Sequence, residues 1–153
     1  MSTPSERLAA LGLTLPPVAP PQAAYVPAVR TGNYVYVSGQ LPFVDGKLPA
    51  TGKVGDTVSA EEAAALARLC ALNGLAAAAS ASGGLDAIRR IVKVTGFVAS
   101  VPSFTGQPVV VNGASELLIE VFGEAGRHAR SAVGMAVLPL DTPVEVELIV
   151  EVA

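Results

Sequence analysis

Arg130, Glu145, Tyr25 and Ser38 are the side chains of this sequence whose types and placement could do chemistry. Arg130 stands in an apolar stretch, 129–138, that reads as a strand. Strand side chains alternate, so Arg130, Ala132, Gly134 and Ala136 share one face, and Val133, Met135 and Val137 share the other, which reads as core. Small residues beside a guanidinium leave a gap, and arginine grips a planar carboxylate through two parallel hydrogen bonds. The structural alternative is an exposed arginine, or one paired with a structural carboxylate. Glu145 follows fifteen residues later, in a stretch where Val144, Val146, Leu148, Val150 and Val152 form an apolar face and Glu145, Glu147 and Glu151 lie opposite. A carboxylate so placed can orient or deprotonate a water, while a solvated outer face is the structural alternative. Tyr25 and Ser38 lie on adjoining strands, and each can donate a hydrogen bond to a bound anion or amine. Packing in the core or at an edge is the other reading of both.

Other chemistries find no support. No GxGxxG opens a helix after a strand, and there is no GK[ST]. Ser38-Gly39 lacks the GxSxG surround of a nucleophile elbow. The single cysteine, Cys70, sits in an apolar helix and reads as inert core, and the single histidine, His128, reads as a surface residue. One cysteine and one histidine make neither an intrachain disulfide nor a thiolate or histidine-rich metal site. The net charge of -3, without a basic block, argues against phosphate-driven binding of nucleic acid.

These side chains must be positioned by one domain, since 153 residues suit a single core. Hydrophobic residues make up 51% and charged residues 15%, below the ~25% usual for soluble domains, which points to apolar surface buried against a partner chain. Residues 5–13 read as a short helical arm and the proline-rich 14–24 as extended. Residues 25–30 and 34–38 read as a hairpin around Thr31-Gly32-Asn33, and 44–48 as a small turn with a short strand. A helix starts near Ser59, which has capping-box spacing to Glu62, runs to about Ser80 and stops at Gly83-Gly84. Its apolar part, 63–81, is mostly alanine and holds Arg68, so a membrane span is not expected. A helical turn spans 85–90. Residues 91–99 form a strand with Val92, Val94, Gly96 and Val98 on one side, and 102–108 form a loop. Asn112 reads as the N-cap of a second helix through Phe122, and the strands 129–138 and 144–152 complete the order β-β-(β)-α-β-α-β-β, an α+β class. Glu6 and the prolines at 16, 17, 20 and 21 do not read as a secretory leader, so a cytoplasmic location is expected.

Several segments together resemble the RidA/YjgF family of reactive-intermediate (imine and enamine) deaminases, also called L-PSP endoribonuclease-like. They are Gly126-Arg127-His128-Ala129-Arg130-Ser131-Ala132-Val133, Leu138-Pro139, Val144-Glu145-Val146-Glu147, the hairpin ending Ser38-Gly39-Gln40-Leu41-Pro42, and the strand Ile91 to Val98. Tyr25 precedes Ser38 by thirteen residues, the spacing of the family's site tyrosine and serine. The similarity spans 25–152, after an N-terminal extension, 1–24, expected to pack on the domain 25–153.

The resemblance implies a chorismate-mutase-like fold and a homotrimer whose sheets form a central barrel, with clefts between subunits. It implies that Arg130 binds the substrate carboxylate and Glu145 positions the hydrolytic water. Backbone groups at Gly39 and Ala132 would contact the ligand, and Tyr25 and Ser38 would line the cleft. Ala132 stands where the family often has cysteine, Ala23-Ala24 replaces a usual Gly-Pro, and the 102–111 loop is longer than in the archetype. The expected function is hydrolysis of small amino-acid-derived imines or enamines, of the 2-aminoacrylate type, to 2-oxo acids and ammonia, with no metal or other cofactor. A non-catalytic trimer holding a small carboxylate is the alternative reading, and ribonuclease activity the third.

Overall fold

Alternation dominates the last strand, and it sets the architecture of the computed structural model, which describes residues 1–18, 20 and 23–153. Ala19, Pro21 and Gln22, part of the stretch expected to be extended, lie outside the described residues. The five strands are β1 (Ala28–Thr31), β2 (Tyr34–Gln40), β3 (Ile88–Ala99), β4 (Ala129–Met135) and β5 (Val144–Val152). They form one sheet in the order β1-β2-β5-β3-β4. Strand β5 is central and pairs antiparallel with both β2 and β3, while β4 runs parallel to β3 at the edge. A parallel pair needs a crossover, and the helix α3 (Gln107–Phe122) supplies it between β3 and β4.

Two long helices cover one face of the sheet. α2 (Ala60–Ser82) packs on α3 and on β2 and β5, and α3 packs on β3 and β4. Val144, Val146, Leu148, Val150 and Val152 turn towards them and are all buried. The opposite strand residues Tyr34, Tyr36 and Val133 stay exposed, so the two helices leave that side of the sheet open. α2 begins where its cap requires: the Ser59 hydroxyl accepts the Glu62 N–H at 3.1 Å. It ends on Gly83, whose φ of 93° suits glycine. The helix is long and apolar enough by composition to cross a membrane, but 72% of its most apolar window is buried in the fold, as in a core helix.

A short helix, α1 (Pro4–Ala10), carries a capping box between Thr3 and Glu6 and buries Leu8. Its Ser5 N–H donates to Asp86 Oδ1 at 2.8 Å, and Leu13, Leu15 and Val18 lean on the core.

Five expectations need correction. The first strand starts at Ala28 rather than Tyr25. The third strand of the hairpin region is only a bridged turn, Val44 with Lys47, so the sheet has five strands. α3 starts at Gln107, because Pro108 fits a first helical turn; Asn112 is therefore inside the helix rather than at its cap. In β3, register shifts at Ile88/Arg90 and Ile91/Lys93 alter the phase, so Ile91 joins Val94 in the core and Val92 does not. Finally, Val133, Met135 and Val137 are 40%, 37% and 61% exposed rather than core. The alternation in β4 is as read, but α3 covers the Arg130 face of this edge strand and leaves the larger apolar side chains outward.

The helix pair crosses where Gly113 lacks a side chain, since a Cβ there would fall on the backbone carbonyl of Ala64. Gly113→Ala must push two helix backbones apart, and the expected cost is about 1–3 kcal/mol, read as a lowered thermal midpoint. An unchanged midpoint would show that the crossing has slack.

Candidate functional site

Glu145, the second residue of β5, is half-buried on the bare face of the sheet and faces a cavity of about 320 Å³ also lined by Tyr25, Gly39, Gln40, Leu41, Phe43 and Leu140. A β-bulge shapes this wall. Val37 pairs with Leu148 and Gln40 with Val146, so Ser38 and Gly39 together oppose the single Glu147. The bulge brings Gly39 against the Glu145 carboxylate so closely that a Cβ on residue 39 would occupy the carboxylate's place. Burial, and then the neighbouring Glu147 charge, raise the Glu145 pKa above the ordinary carboxylate value. A carboxylate made more basic this way is suited to take a proton from water near neutral pH.

The far wall of the cavity is strained. Leu140 (φ 58°, ψ 17°) and Asp141 (φ 59°) occupy the left-handed region, which aspartate tolerates but which costs a leucine roughly 1–2 kcal/mol. An ion pair between Lys53 and Asp141 and the Gly52 N–H on the Asp141 carbonyl, 2.9 Å, hold this turn.

Arg130 lies elsewhere. It points from β4 to α3, where Nη1 donates to Asn112 Oδ1 at 2.8 Å and Ser115 Oγ at 3.2 Å, and Nη2 donates to the Pro108 carbonyl at 3.4 Å. All three acceptors are neutral, and no carboxylate pairs with Arg130 among the described residues. Ala132 follows on the same face and packs partly against the core.

Ser115 links Arg130 to His128, whose Nε2 lies 2.9 Å from Ser115 Oγ while Nδ1 lies 2.6 Å from the Gly126 carbonyl. A carbonyl only accepts, so Nδ1 bears the ring proton and Nε2 accepts from the Ser115 hydroxyl. The serine oxygen is then free to accept from Arg130, and the chain of donors closes without conflict. Burial lowers the His128 pKa; the bond to Gly126 opposes this and the Arg130 charge adds to it. The histidine read as a surface residue is thus half-buried and tied to the candidate anchor.

The chain brings Tyr25, Gly39 and Glu145 to one cavity, and Arg130 and Ala132 to another place. Arg130 sits opposite Val94, and Glu145 opposite Phe97, on β3. That is roughly 10 Å along the strands and about 10 Å across them, and the two side chains project from opposite faces. Ser38 is beside Gly39, but its hydroxyl donates to the Val26 carbonyl at 2.6 Å and so ties the loop before β1 to β2. Sequence reading missed Asn112, Ser115, the Pro108 carbonyl and Leu140. Asn112, Ser115 and Glu116 recur along α3 at spacings of three or four residues, but polar residues at such spacing are ordinary on a helix surface. Cys70 is fully buried, its thiol pushed well up by burial, in keeping with inert core.

Comparison with known proteins adds the following. A family model described as "YjgF/chorismate mutase-like, putative endoribonuclease" matches residues 5–152. Protein TCP17 of Trypanosoma cruzi is 48% identical over 92% of this chain and 89% of its own length. The crystal structure of Atu1372 from Agrobacterium tumefaciens, a protein of unknown function, superposes with a TM-score of 0.91 at 51% identity, covering 99% of this chain and 94% of that one. TdcF of E. coli, solved with bound serine, gives a TM-score of 0.66 at 26% identity over 89% of this chain and 94% of its own.

Since His128 is the only histidine, its ring signals in an NMR titration are unambiguous. Its midpoint should lie below the ordinary ~6.5, and Arg130→Ala should raise it by removing a nearby positive charge. With the folded pKa below the unfolded one, this histidine favours folding above ~6.5, and that contribution falls away as pH drops through the folded value. A midpoint at or above ~6.5 would mean that the ring is not buried beside Arg130 in solution.

Proposed function

The chain belongs to the RidA/YjgF, chorismate mutase-like family, and from that premise we propose that it hydrolyses small amino-acid-derived imines and enamines to 2-oxo acids and ammonia. The observation that best supports this is the state of Arg130. Its guanidinium is held by three neutral oxygens, so its whole charge is available to a carboxylate. The serine bound to TdcF is a ligand of the matching kind, small and carrying a carboxylate.

In this reading the site lies between copies of the chain. Arg130 and Glu145 project from opposite faces of one sheet, so a ligand touching both needs Arg130 from one copy and Glu145 from another. The exposed apolar face bearing Tyr34, Tyr36, Val133 and Met135 is the surface that association would bury. A homotrimer, its sheets forming a central barrel, is the assembly proposed, and light scattering at assay concentration tests it. A fully active monomer would rule out a shared site.

The chemistry follows from the groups present. Arg130 fixes the substrate carboxylate, and the protonated imine carbon, already electrophilic, needs no cofactor to be attacked. The Glu145 carboxylate takes a proton from water as the oxygen bonds to that carbon. Glu145 returns that proton to the nitrogen of the carbinolamine, the C–N bond breaks as the hydroxyl proton passes back to the carboxylate, and ammonia leaves a 2-oxo acid. Tyr25 and the backbone at Gly39 shape the cavity beside Glu145, with Ser38 and Ala132 bordering the two halves.

A second reading, favoured by the serine seen bound to TdcF, is a trimer that holds a carboxylate metabolite without turning it over. The two part on one measurement, since a binder lowers the free ligand without producing ammonia. The endoribonuclease description of the family suits this chain less well: ten Lys and Arg against thirteen Asp and Glu give RNA phosphates little to hold.

Ammonia release from 2-aminoacrylate, made in place by a serine dehydratase, tests the proposal. Arg130→Ala should lower kcat/KM about 10²-fold or more, since it removes a charge-assisted pair. Glu145→Gln should lower kcat by about 10²–10⁴-fold. Activity should fall as pH drops through the raised Glu145 pKa, so the acid limb lies above the ordinary ~4.3 of glutamate. Equal rates for wild type, both variants and buffer would end the deaminase assignment for this substrate.

A further inference from the structure

His128 is part of the hold on Arg130. Its Nδ1 keeps the ring proton for the Gly126 carbonyl at 2.6 Å, so Nε2 accepts the Ser115 hydroxyl at 2.9 Å. Ser115 Oγ in turn accepts Arg130 Nη1 at 3.2 Å. Asn112 and the Pro108 carbonyl take two further N–H groups, which leaves the Nε–H and one Nη2 N–H of Arg130 for a ligand. The imidazole thus stands two hydrogen bonds behind the anchor. A purely structural hold would be served as well by a side-chain amide, which keeps its bonds at every pH; histidine changes charge in the physiological range.

The charges around the ring single out Arg130. Arg127, next to it, is paired with Glu124 at 3.1 Å. Arg90 of β3, Glu151 of β5 and Tyr34 of β2 share an open hollow with the ring, and cross-strand pairing sets Arg90 beside Glu151. The carboxylates of α3 face elsewhere, Glu120 to Arg68 and Glu116 to the groove against α2. Burial is the larger cause of the lowered His128 pKa, the bond to Gly126 opposes it, and Arg130 is the charge that adds to it.

A carboxylate on Arg130 cancels that charge, and so does for the ring what Arg130→Ala does by deletion. The protonated ring then donates from Nε2 to Ser115 Oγ. That oxygen has a second lone pair for Arg130 Nη1, and its own hydrogen is freed for the ligand. We propose that His128 takes up a proton from solvent when a carboxylate binds Arg130, and is thus the positioning residue through which the anchor binds its ligand and a proton together. The inference rests on reading Arg130 as a carboxylate anchor. The sign follows from linkage. The ligand raises the His128 midpoint, so the extra affinity is fully present below the free midpoint and is lost as pH rises through the liganded one.

Pyruvate is the probe, and the ring signals of the single histidine report on it directly. Saturating pyruvate should move the His128 midpoint up. Its dissociation constant, from calorimetry, should fall about three- to tenfold as pH drops through the window between the two midpoints. Pyruvamide, of the same shape without the charge, should leave the midpoint where it is. Glu145 titrates above its ordinary range as well, so the comparison is repeated in Glu145→Gln, where the pyruvate-induced shift of His128 should persist. Adding His128→Gln to that variant should make pyruvate affinity flat across the window, which loss of a merely structural contact would not do. If pyruvate binds and the His128 midpoint stays put, or pyruvamide moves it as far, the proton linkage is overturned and the anchor stands. If wild type binds no pyruvate, or Arg130→Ala binds it equally well, the anchor reading falls and this inference with it.

Discussion

Two helices cover one face of a five-stranded sheet, and the other face keeps its apolar side chains in the open. Much else depends on that asymmetry. The parallel β3–β4 pair forces a crossover, the crossover is α3, and α3 lies on the same side as α2 because both must bury alanine- and valine-rich stripes against β5 and β3. Arg130 therefore ends up under α3, on the covered side of an edge strand. Glu145, one residue out of phase with the buried valines of β5, ends up on the bare side.

That separation has an electrostatic consequence. Arg130 beside Glu145 in an isolated chain would form an ion pair, and each would neutralise the other. Held on opposite faces, the two keep distinct environments. Glu145 sits in an apolar wall that raises its pKa, with Gly39 leaving room for the carboxylate. Arg130 sits among an amide oxygen, a hydroxyl and a peptide carbonyl. In the proposed assembly the two environments, from different copies, meet around a ligand, while the sheet keeps those of one chain apart.

How much of this could be read from sequence depended on how local each cause was. α2 was legible because its start and stop are local: a serine that caps and a glycine that turns left-handed. β5 was legible because nothing interrupts its alternation. β3 was legible only in part, since the two register shifts that move Val92 off the buried face depend on its neighbour β5. The face of β4 was misassigned because Val133, Met135 and Val137 look like core, and only the position of α3 reveals that they face outward. Arg130 and Glu145 stand out in the sequence as unusual residues, but their opposite projection needed the sheet order. Asn112 and Ser115 carry no mark in the sequence, because only the pairing of β4 beside α3 brings Arg130 within their reach.

The neutral acceptors around Arg130 are the more informative part of that missed shell. A guanidinium half-buried at a strand–helix seam gains from hydrogen-bonded partners, and the simplest partner is a carboxylate. A carboxylate at residue 112 or 115 would hold the side chain as firmly, but it would also cancel the charge. Asparagine, serine and a peptide carbonyl take three of its N–H donors and leave the cation uncompensated. His128 extends the same logic, because a neutral ring can accept from Ser115 only while its Nε2 is unprotonated, and burial together with the Arg130 charge favours that form. A structural arginine has no need of this restraint. An arginine fixed in place by neutral acceptors keeps its charge intact, and that is what the proposed carboxylate anchor requires.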